Sequence, residues 1–397
     1  MSGSLIKGVS LGTSSSFTRY GKRDDVVVIS LEQKSRISCR FTSNEFKAAP
    51  VKLALKNLST PRRGKKFLLI NAGNANAGNG KRGEMDVKHY CNEFSKFSDS
   101  EAQNVIPFST GVIGEPMDVR SHLEAFQKAY KDLKVSNWNK ASKAILTTDT
   151  KPKLIRKKIK VGKEEINLFG FAKGSGMIGP DFATLLSFVF TDADVNKPLL
   201  NNIHSKSLDN SFNSITVDGD TSPNDSSCLV ATGEGGVKIN KSSNLEKRFR
   251  KEVNDLFYEL SRMLIKDAEG ATKEINVKVS KASSHKQAKE VAFTVALSPL
   301  VKTAMFGNDA NWGRILAAVG RCKSINNISK TSIKINGASM VNKGEKSPKH
   351  SERESSKAVN KKKIDIEINL GLGKISYATS TSDFSEDYVL INSDYRS

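Results

Sequence analysis

Cysteine is scarce in this chain: Cys39, Cys91, Cys228 and Cys322 are spread over 397 residues with no CxxC pair. That spacing excludes a zinc ribbon or a disulfide-dense scaffold and predicts scattered, reduced thiols. Histidine is nearly as scarce, five residues with no HExxH among them, so metal catalysis has no ligand set to rest on. There is no GxxxxGK[ST] loop for a nucleotide phosphate. No apolar run approaches the roughly 18 residues that span a bilayer. Met1 to Gly12 holds no continuous apolar stretch and no cleavage site, so a secretory signal is not expected and the cytosol is the expected compartment. Aromatics make up only 7% of the chain, without an RNP-like pattern, a zinc finger or a basic helix. The formal net charge of +21 therefore reads as a lysine-rich surface, with bases and acids alternating along the chain, before it reads as a nucleic-acid footprint. A milder use of that field is the attraction of small carboxylates.

What is present is a mixed pattern of strands and helices. Val26–Ile29 and Lys66–Ile70 read as strands, the second feeding an Asn/Gly loop from Asn71 to Gly80 that folds tightly, because both residue types tolerate positive φ. Helices are expected over about 89–97, 119–133, 244–266 and 311–319, and strands at 105–108, from Ser142 to Thr147, and as a pair within 153–171. The stretch Val341–Lys363 carries eight Lys/Arg and three acids with almost nothing apolar, and reads as a mobile surface insertion between strands.

The most informative segment is Lys173-Gly174-Ser175-Gly176-Met177-Ile178-Gly179-Pro180-Asp181-Phe182-Ala183-Thr184. Gly174–Gly179 fits GxGxxG, but Pro180 and an apolar β-rich run follow where a dinucleotide fingerprint needs a helix. The segment reads instead as a glycine-rich approach to one threonine that opens a buried strand. A cut before Thr184 would give its hydroxyl an adjacent amine as general base. Asp218, Asp220 and Asp225 do not meet an EF-hand's needs, because Pro223 and Leu229 stand where Gly and Glu are required; they read as a tight turn. Ser109-Thr110-Gly111 is either a strand-ending turn or an oxyanion hole, and spacing supports both. Lys173 is a surface lysine, a carboxylate anchor or a group that lowers the pKa of the Thr184 amine. Glu269 caps a turn or binds an ammonium.

In their order along the chain, these motifs resemble the glutamate N-acetyltransferase (ornithine acetyltransferase) family of arginine biosynthesis. The resemblance runs through Asn71–Ala77, Ser109–Gly114, Thr147-Thr148-Asp149-Thr150, Lys173–Ile178, Ala183-Thr184-Leu185, Val217–Ser222, Glu269–Lys273, Gly307–Arg314 and Tyr388–Asn392. It implies an α+β fold, a layered α/β sandwich like that of N-terminal-nucleophile enzymes with a smaller α/β lobe. It implies self-cleavage between Ala183 and Thr184 into an α chain (1–183) and a β chain (184–397), the latter holding the basic insertion at about 341–363. Thr184 is then the nucleophile, Thr110 and Gly111 the oxyanion hole, and Thr150, Lys173, Thr184, Glu269, Asn392 and Ser397 the substrate contacts. The implied reaction passes acetyl from N2-acetylornithine to glutamate through an acetyl-enzyme, with no cofactor, no metal, no nucleic acid and no membrane. Two forms of the family differ in whether acetyl-CoA is also a donor, and the implied assembly is a heterotetramer of two α and two β chains. Two other readings stand beside it: a related self-processed amidohydrolase, and a basic nucleic-acid-binding protein.

Overall fold

The computed structural model describes residues 6–60, 62–179 and 185–394. The chain begins with β1 (Val9–Ser14), β2 (Val26–Leu31), β3 (Arg36–Phe41), α1 (Ala49–Ser59), β4 (Lys66–Asn74), α2 (Gly80–Phe97), β5 (Val105–Val112), α3 (Val119–Lys131) and α4 (Trp138–Ala144). A hairpin of β6 (Lys153–Val161) and β7 (Glu164–Lys173) leads to β8 (Leu186–Thr191), β9 (Asp194–Val195), α5 (Lys197–Asp209), β10 (Ser226–Ala231), β11 (Lys238–Ile239) and α6 (Asn244–Lys266). The last third contributes β12 (Glu274–Ala282), α7 (His285–Ala296), α8 (Pro299–Phe306), α9 (Trp312–Gly320), β13 (Ser332–Ile335), β14 (Ala338–Asn342), β15 (Glu345–Lys346), α10 (Glu352–Val359), β16 (Lys363–Asn369), β17 (Ile375–Ser382) and α11 (Glu386–Asp394).

Two sheets stack face to face. One has the order β1-β2-β4-β5, the other β3-β10-β8-β7-β6. Between them lie Val27, Ile29, Leu68, Ile70, Ile106 and Phe108 from the first sheet against Ile37, Phe171, Phe188 and Val230 from the second. Phe108 and Phe188 meet edge to face at 5.1 Å, a geometry aromatic quadrupoles favour. The outer face of the first sheet is covered by α2 and α3 through Tyr90, Phe94 and Phe126. The outer face of the second is covered by α5 and α6 through Leu200, Ile203, Phe249, Val253 and Phe257. The result is four layers, helix–sheet–sheet–helix, so the central strands are buried on both faces and read as unbroken apolar runs, as in Phe67–Ile70. A third sheet, β15-β14-β13-β16-β12-β17, forms the smaller lobe with α7, α8, α9 and α10 on one face. Its strands alternate, with Ile364, Ile366 and Ile368 inward, the pattern of a sheet with one buried face.

Four expectations need correction. The strand expected from Ser142 is the end of α4, where Trp138, Ala141 and Ala144 face the core at helical spacing. The helix expected at 89–97 begins nine residues earlier, at Gly80. The Val341–Lys363 stretch is folded rather than loose: it carries β15 and α10, and Ala358 and Val359 are buried in the smaller lobe's core. Cys39 and Cys228 form a disulfide, with Cα atoms 4.3 Å apart, because they face each other in the β3–β10 register. Cys91 and Cys322 are buried thiols. No helix among the described residues is long and apolar enough to cross a membrane.

Candidate active site

The site grows from two strand ends. β4 and β5 run parallel, and their register brings Gly73 beside Gly111. Gly111 has φ +132°, and a Cβ there would lie 2.3 Å from the Gly73 carbonyl carbon and 2.6 Å from the Asn74 nitrogen. Only glycine permits this backbone approach. Thr110, one residue earlier, is buried at the same end of the sheet. In the second sheet β7 ends at Lys173, which pairs antiparallel with Leu186. Across the sandwich the Lys173 ammonium donates to Thr110 Oγ1 at 3.2 Å. Two residues 63 positions apart, both expected at the site, are thus in direct contact.

Lys173 is almost fully buried. Burial pushes its pKa down, against the pull of the Asp149 carboxylate, and the net direction is downward. Asp149 is itself fully buried, 4.0 Å from Lys173 Nζ and 2.5 Å from Lys153 Nζ. It also accepts the Gly174 N–H at 2.7 Å. Burial alone would raise its pKa, but Lys173, Lys153 and the Gly174 amide outweigh that and hold the carboxyl below its ordinary range.

The glycine-rich segment is pinned on both sides. The Ser175 hydroxyl bonds Thr148 Oγ1 at 2.8 Å. The Met177 and Ile178 amides both donate to the Asp218 carboxylate, at 2.7 and 2.9 Å. Asp218, read from sequence as a turn residue, therefore clamps this loop, and burial raises its pKa. Gly176 leaves room for Glu269: a Cβ there would sit 2.2 Å from Glu269 Oε2. The Glu269 amide bonds the Ser175 carbonyl at 2.9 Å. From the last helix, α11, Asn392 Nδ2 donates to Glu269 Oε2 at 3.0 Å and the Tyr388 hydroxyl donates to Asp218 Oδ2 at 3.2 Å.

Of the residues expected at the site, Thr110, Gly111, Lys173, Glu269 and Asn392 gather around this one loop. Thr150 stands to the side, its hydroxyl and amide both given to Asp267, which is ion-paired with Lys153 at 2.5 Å. Thr148, not Thr150, touches the loop. Ala183, Thr184 and Ser397 lie outside the described residues. Leu185, the residue after Thr184, is fixed: its carbonyl accepts the Ser226 amide at 2.9 Å. Asp149, Asp218 and Tyr388 escaped the sequence reading. The acid of Asp149 with Lys153 four residues on was the legible signal for the first; nothing local marks the other two.

This geometry puts a buried ammonium, a hydroxyl and a carboxylate around a tight glycine loop. Residues 10–397 match the ArgJ family. The chain is 40% identical over 394 residues to the arginine biosynthesis bifunctional protein ArgJ of Methylococcus capsulatus, spanning 98% of this chain and 96% of that protein. The same name belongs to a Pseudomonas syringae pv. tomato protein, 39% identical with the same coverage. This chain belongs to the ArgJ family. It is an acyltransferase of arginine biosynthesis. The solved ArgJ structure from Bacillus halodurans superposes with a TM-score of 0.50 at 34% identity, covering 52% of this chain and 98% of that one. The family's layered α/β architecture is the one described above. Among the described residues, no group of three or more His, Cys, Asp or Glu side chains is placed to hold a metal.

Proposed function

We propose that this ArgJ chain cuts itself between Ala183 and Thr184, then transfers acetyl from N2-acetylornithine to glutamate through an acetyl ester on Thr184. The observation that carries the reading is the 3.2 Å contact of Lys173 Nζ with Thr110 Oγ1. It sits at the strand end that leads into the segment bearing Thr184, with Glu269 on the other side of the loop. In the cleavage step the Thr184 hydroxyl attacks the Ala183 carbonyl, the amide becomes an ester, and water hydrolyses it. The new α-amine of Thr184 then serves as its base. In the transfer, Thr184 Oγ attacks the acetyl carbonyl and its proton passes to the amine. The oxyanion is held by the Thr110 hydroxyl and the Gly111 amide; one such donor contributes about 3–4 kcal/mol to the transition state. The C–N bond breaks, the proton goes to the leaving ornithine nitrogen, and glutamate's amine then collects the acetyl group. Glu269 anchors an ammonium and Lys173 a carboxylate, with Asn392 and Ser397 completing the contacts, while Thr150, held by Asp267, supports the site from the side. Because both substrates are α-amino acids, one set of anchors serves both halves of the cycle.

The relative lengths support the cut. The Bacillus halodurans chain is 98% covered by 52% of this one, so it is about half as long, as a break near the middle would leave it. The test is direct. Purified, reduced protein should run as fragments of about 20 and 23 kDa, from a 43.4 kDa chain divided at residue 183, the larger beginning with Thr184. Ornithine release from N2-acetylornithine should depend on glutamate. Equal release without glutamate would assign hydrolysis instead, and an active, uncut Thr184→Ala protein would remove the nucleophile. Adding acetyl-CoA with glutamate alone decides the second donor, and light scattering at known concentration tests the assembly of two α and two β chains.

A further inference from the structure

A cavity of about 250 Å³ opens between the two sheets at the end remote from Thr110. The two sites share β5: Ile106 lines the cavity, and Thr110 lies four residues further along the same strand. The charged side chains in the cavity's lining are Arg36, Lys66 and Lys197, with no carboxylate among them. Arg36 is matched outside it by Asp194 at 2.5 Å. Lys66 and Lys197 have no carboxylate partner among the described residues. Lys66 donates to the Gln33 carbonyl at 2.9 Å and Lys197 to the Ile37 carbonyl, and an ammonium has three protons to give. Burial lowers the pKa of both, and Lys197 is lowered further by Arg40 and by Lys66 itself. Lys66 is half-buried and Lys197 lies exposed at the cavity's rim; two like charges facing one cavity without a counter-ion among the described residues repel each other, and an anion between them removes that repulsion. Lys197 is also the first residue of α5, a 13-residue helix, and so lies at that helix's positive end. Ser35, in the lining and 4% exposed, has a hydroxyl with no hydrogen-bond partner among the described residues. The rest of the lining is an apolar patch of Ile37, Leu58 and Ile106 beside the amides of Asn57, Gln103 and Asn104.

We propose that this cavity binds a small organic monocarboxylate, its charge bridging Lys66 and Lys197 and its hydrocarbon part against Ile37, Leu58 and Ile106. A purely inorganic anion would satisfy the charges but leave the apolar wall wet, whereas a short acyl acid satisfies both. The site is independent of the transfer reaction proposed above. The experiment follows the melting temperature of the purified protein against sodium butyrate, with sodium chloride and sodium phosphate at matched ionic strength. A saturable rise with butyrate, and at least tenfold weaker response to chloride and phosphate, is expected. The rise should vanish in the Lys66→Met, Lys197→Met double variant. It should also vanish in Leu58→Trp, which fills the cavity from a half-buried position and leaves both lysines in place, so the idea does not hang on one variant folding. Butyrate acting no better than chloride, or equally well on Leu58→Trp, would overturn it.

Discussion

Replacing Asp149 with Asn tests the electrostatic centre of the candidate site. Asn keeps the size of the side chain and can still accept the Gly174 amide, now at 2.7 Å from Asp149 Oδ1, while its NH2 replaces the Oδ2 that faces Lys173 and accepts the Thr147 amide, so the change removes the charge and one acceptor. Lys153 retains Asp267 at 2.5 Å. Lys173 does not fare so well: Asp149, at 4.0 Å, is its ion-pair partner among the described residues, and its ammonium is almost fully buried. Breaking a buried pair by removing one partner costs about 3–5 kcal/mol, because the other charge stays behind uncompensated. The folded-state pKa of Asp149 is depressed, so its contribution is complete above the unfolded value of about 3.9 and is lost as pH falls through the folded value. Urea unfolding followed by circular dichroism should therefore show Asp149→Asn less stable by about 3–5 kcal/mol. That gap should be flat from pH 8 to about pH 5 and close below pH 4. A gap under about 1 kcal/mol at pH 7, the size of an exposed pair, would show that Lys173 does not depend on Asp149 and would sink the network.

Gly176→Ala places a methyl 2.2 Å from Glu269 Oε2 and must push that carboxylate away. Loss of one hydrogen bond to a charged group, about 1.5–3 kcal/mol, should raise KM for the amino-acid substrate at least tenfold while urea stability holds, as steady-state kinetics would show. His204 is buried between the Ser38 and Ser227 hydroxyls at 3.1 and 3.0 Å, and burial lowers its pKa to about 3. An unfolded histidine binds its proton near pH 6.5, so stability should fall as pH drops from about 6.5 toward 3. The loss amounts to as much as about 4–5 kcal/mol at 1.36 kcal/mol per pH unit. His204→Gln should flatten that slope in urea titrations. The Cys39–Cys228 disulfide joins residues on opposite sides of the proposed cut; oxidised protein should run as one band on a non-reducing gel and as two after reduction, and two bands without reductant would refute the bond.

Much of the fold was legible where periodicity was strong. Leu245, Phe249, Val253, Leu256, Phe257, Leu260 and Leu264 recur at helical spacing, and α6 spans Asn244–Lys266 as that pattern requires. The double-sided burial of β4 showed in its unbroken apolar run. What failed had competing local signals. Ala and Ile at the end of α4 look strand-like beside Thr147 and Thr148, and only Trp138 packing on Phe169 at 4.3 Å reveals the helix. The basic stretch around α10 has few apolar residues, but two of them, Ala358 and Val359, are enough to anchor a helix of eight. At the site, the glycine loop was readable because glycine has few reasons to recur so closely, whereas Thr110 was marked only by the family resemblance, its spacing suiting an ordinary turn equally well. Asp218 and Tyr388 were not readable, since their role exists only after 170 residues of chain bring them together.

The sheet order bears on whether a broken backbone could work. In the second sheet, β3, β7 and β6 precede residue 184, and β10 and β8 follow it. β10 lies between β3 and β8, and β8 between β10 and β7, so the two halves alternate through two inter-half ladders of six registered pairs each. The core between the sheets is shared likewise, with Phe108 and Phe171 from one half on Phe188 from the other. A cut in the loop joining β7 to β8 removes one covalent link and neither ladder, so the loss is the loop's own restraint on the unfolded chain, a term that grows only slowly with loop length. Thr110 and Lys173 come from the first half, and Glu269, Asn392 and Asp218 from the second. Neither half contains a site, and neither contains a complete second sheet. Cleavage in this architecture would therefore make a nucleophile without dividing the machine that uses it, and separately expressed halves should be insoluble alone yet regain glutamate-dependent ornithine release when co-expressed.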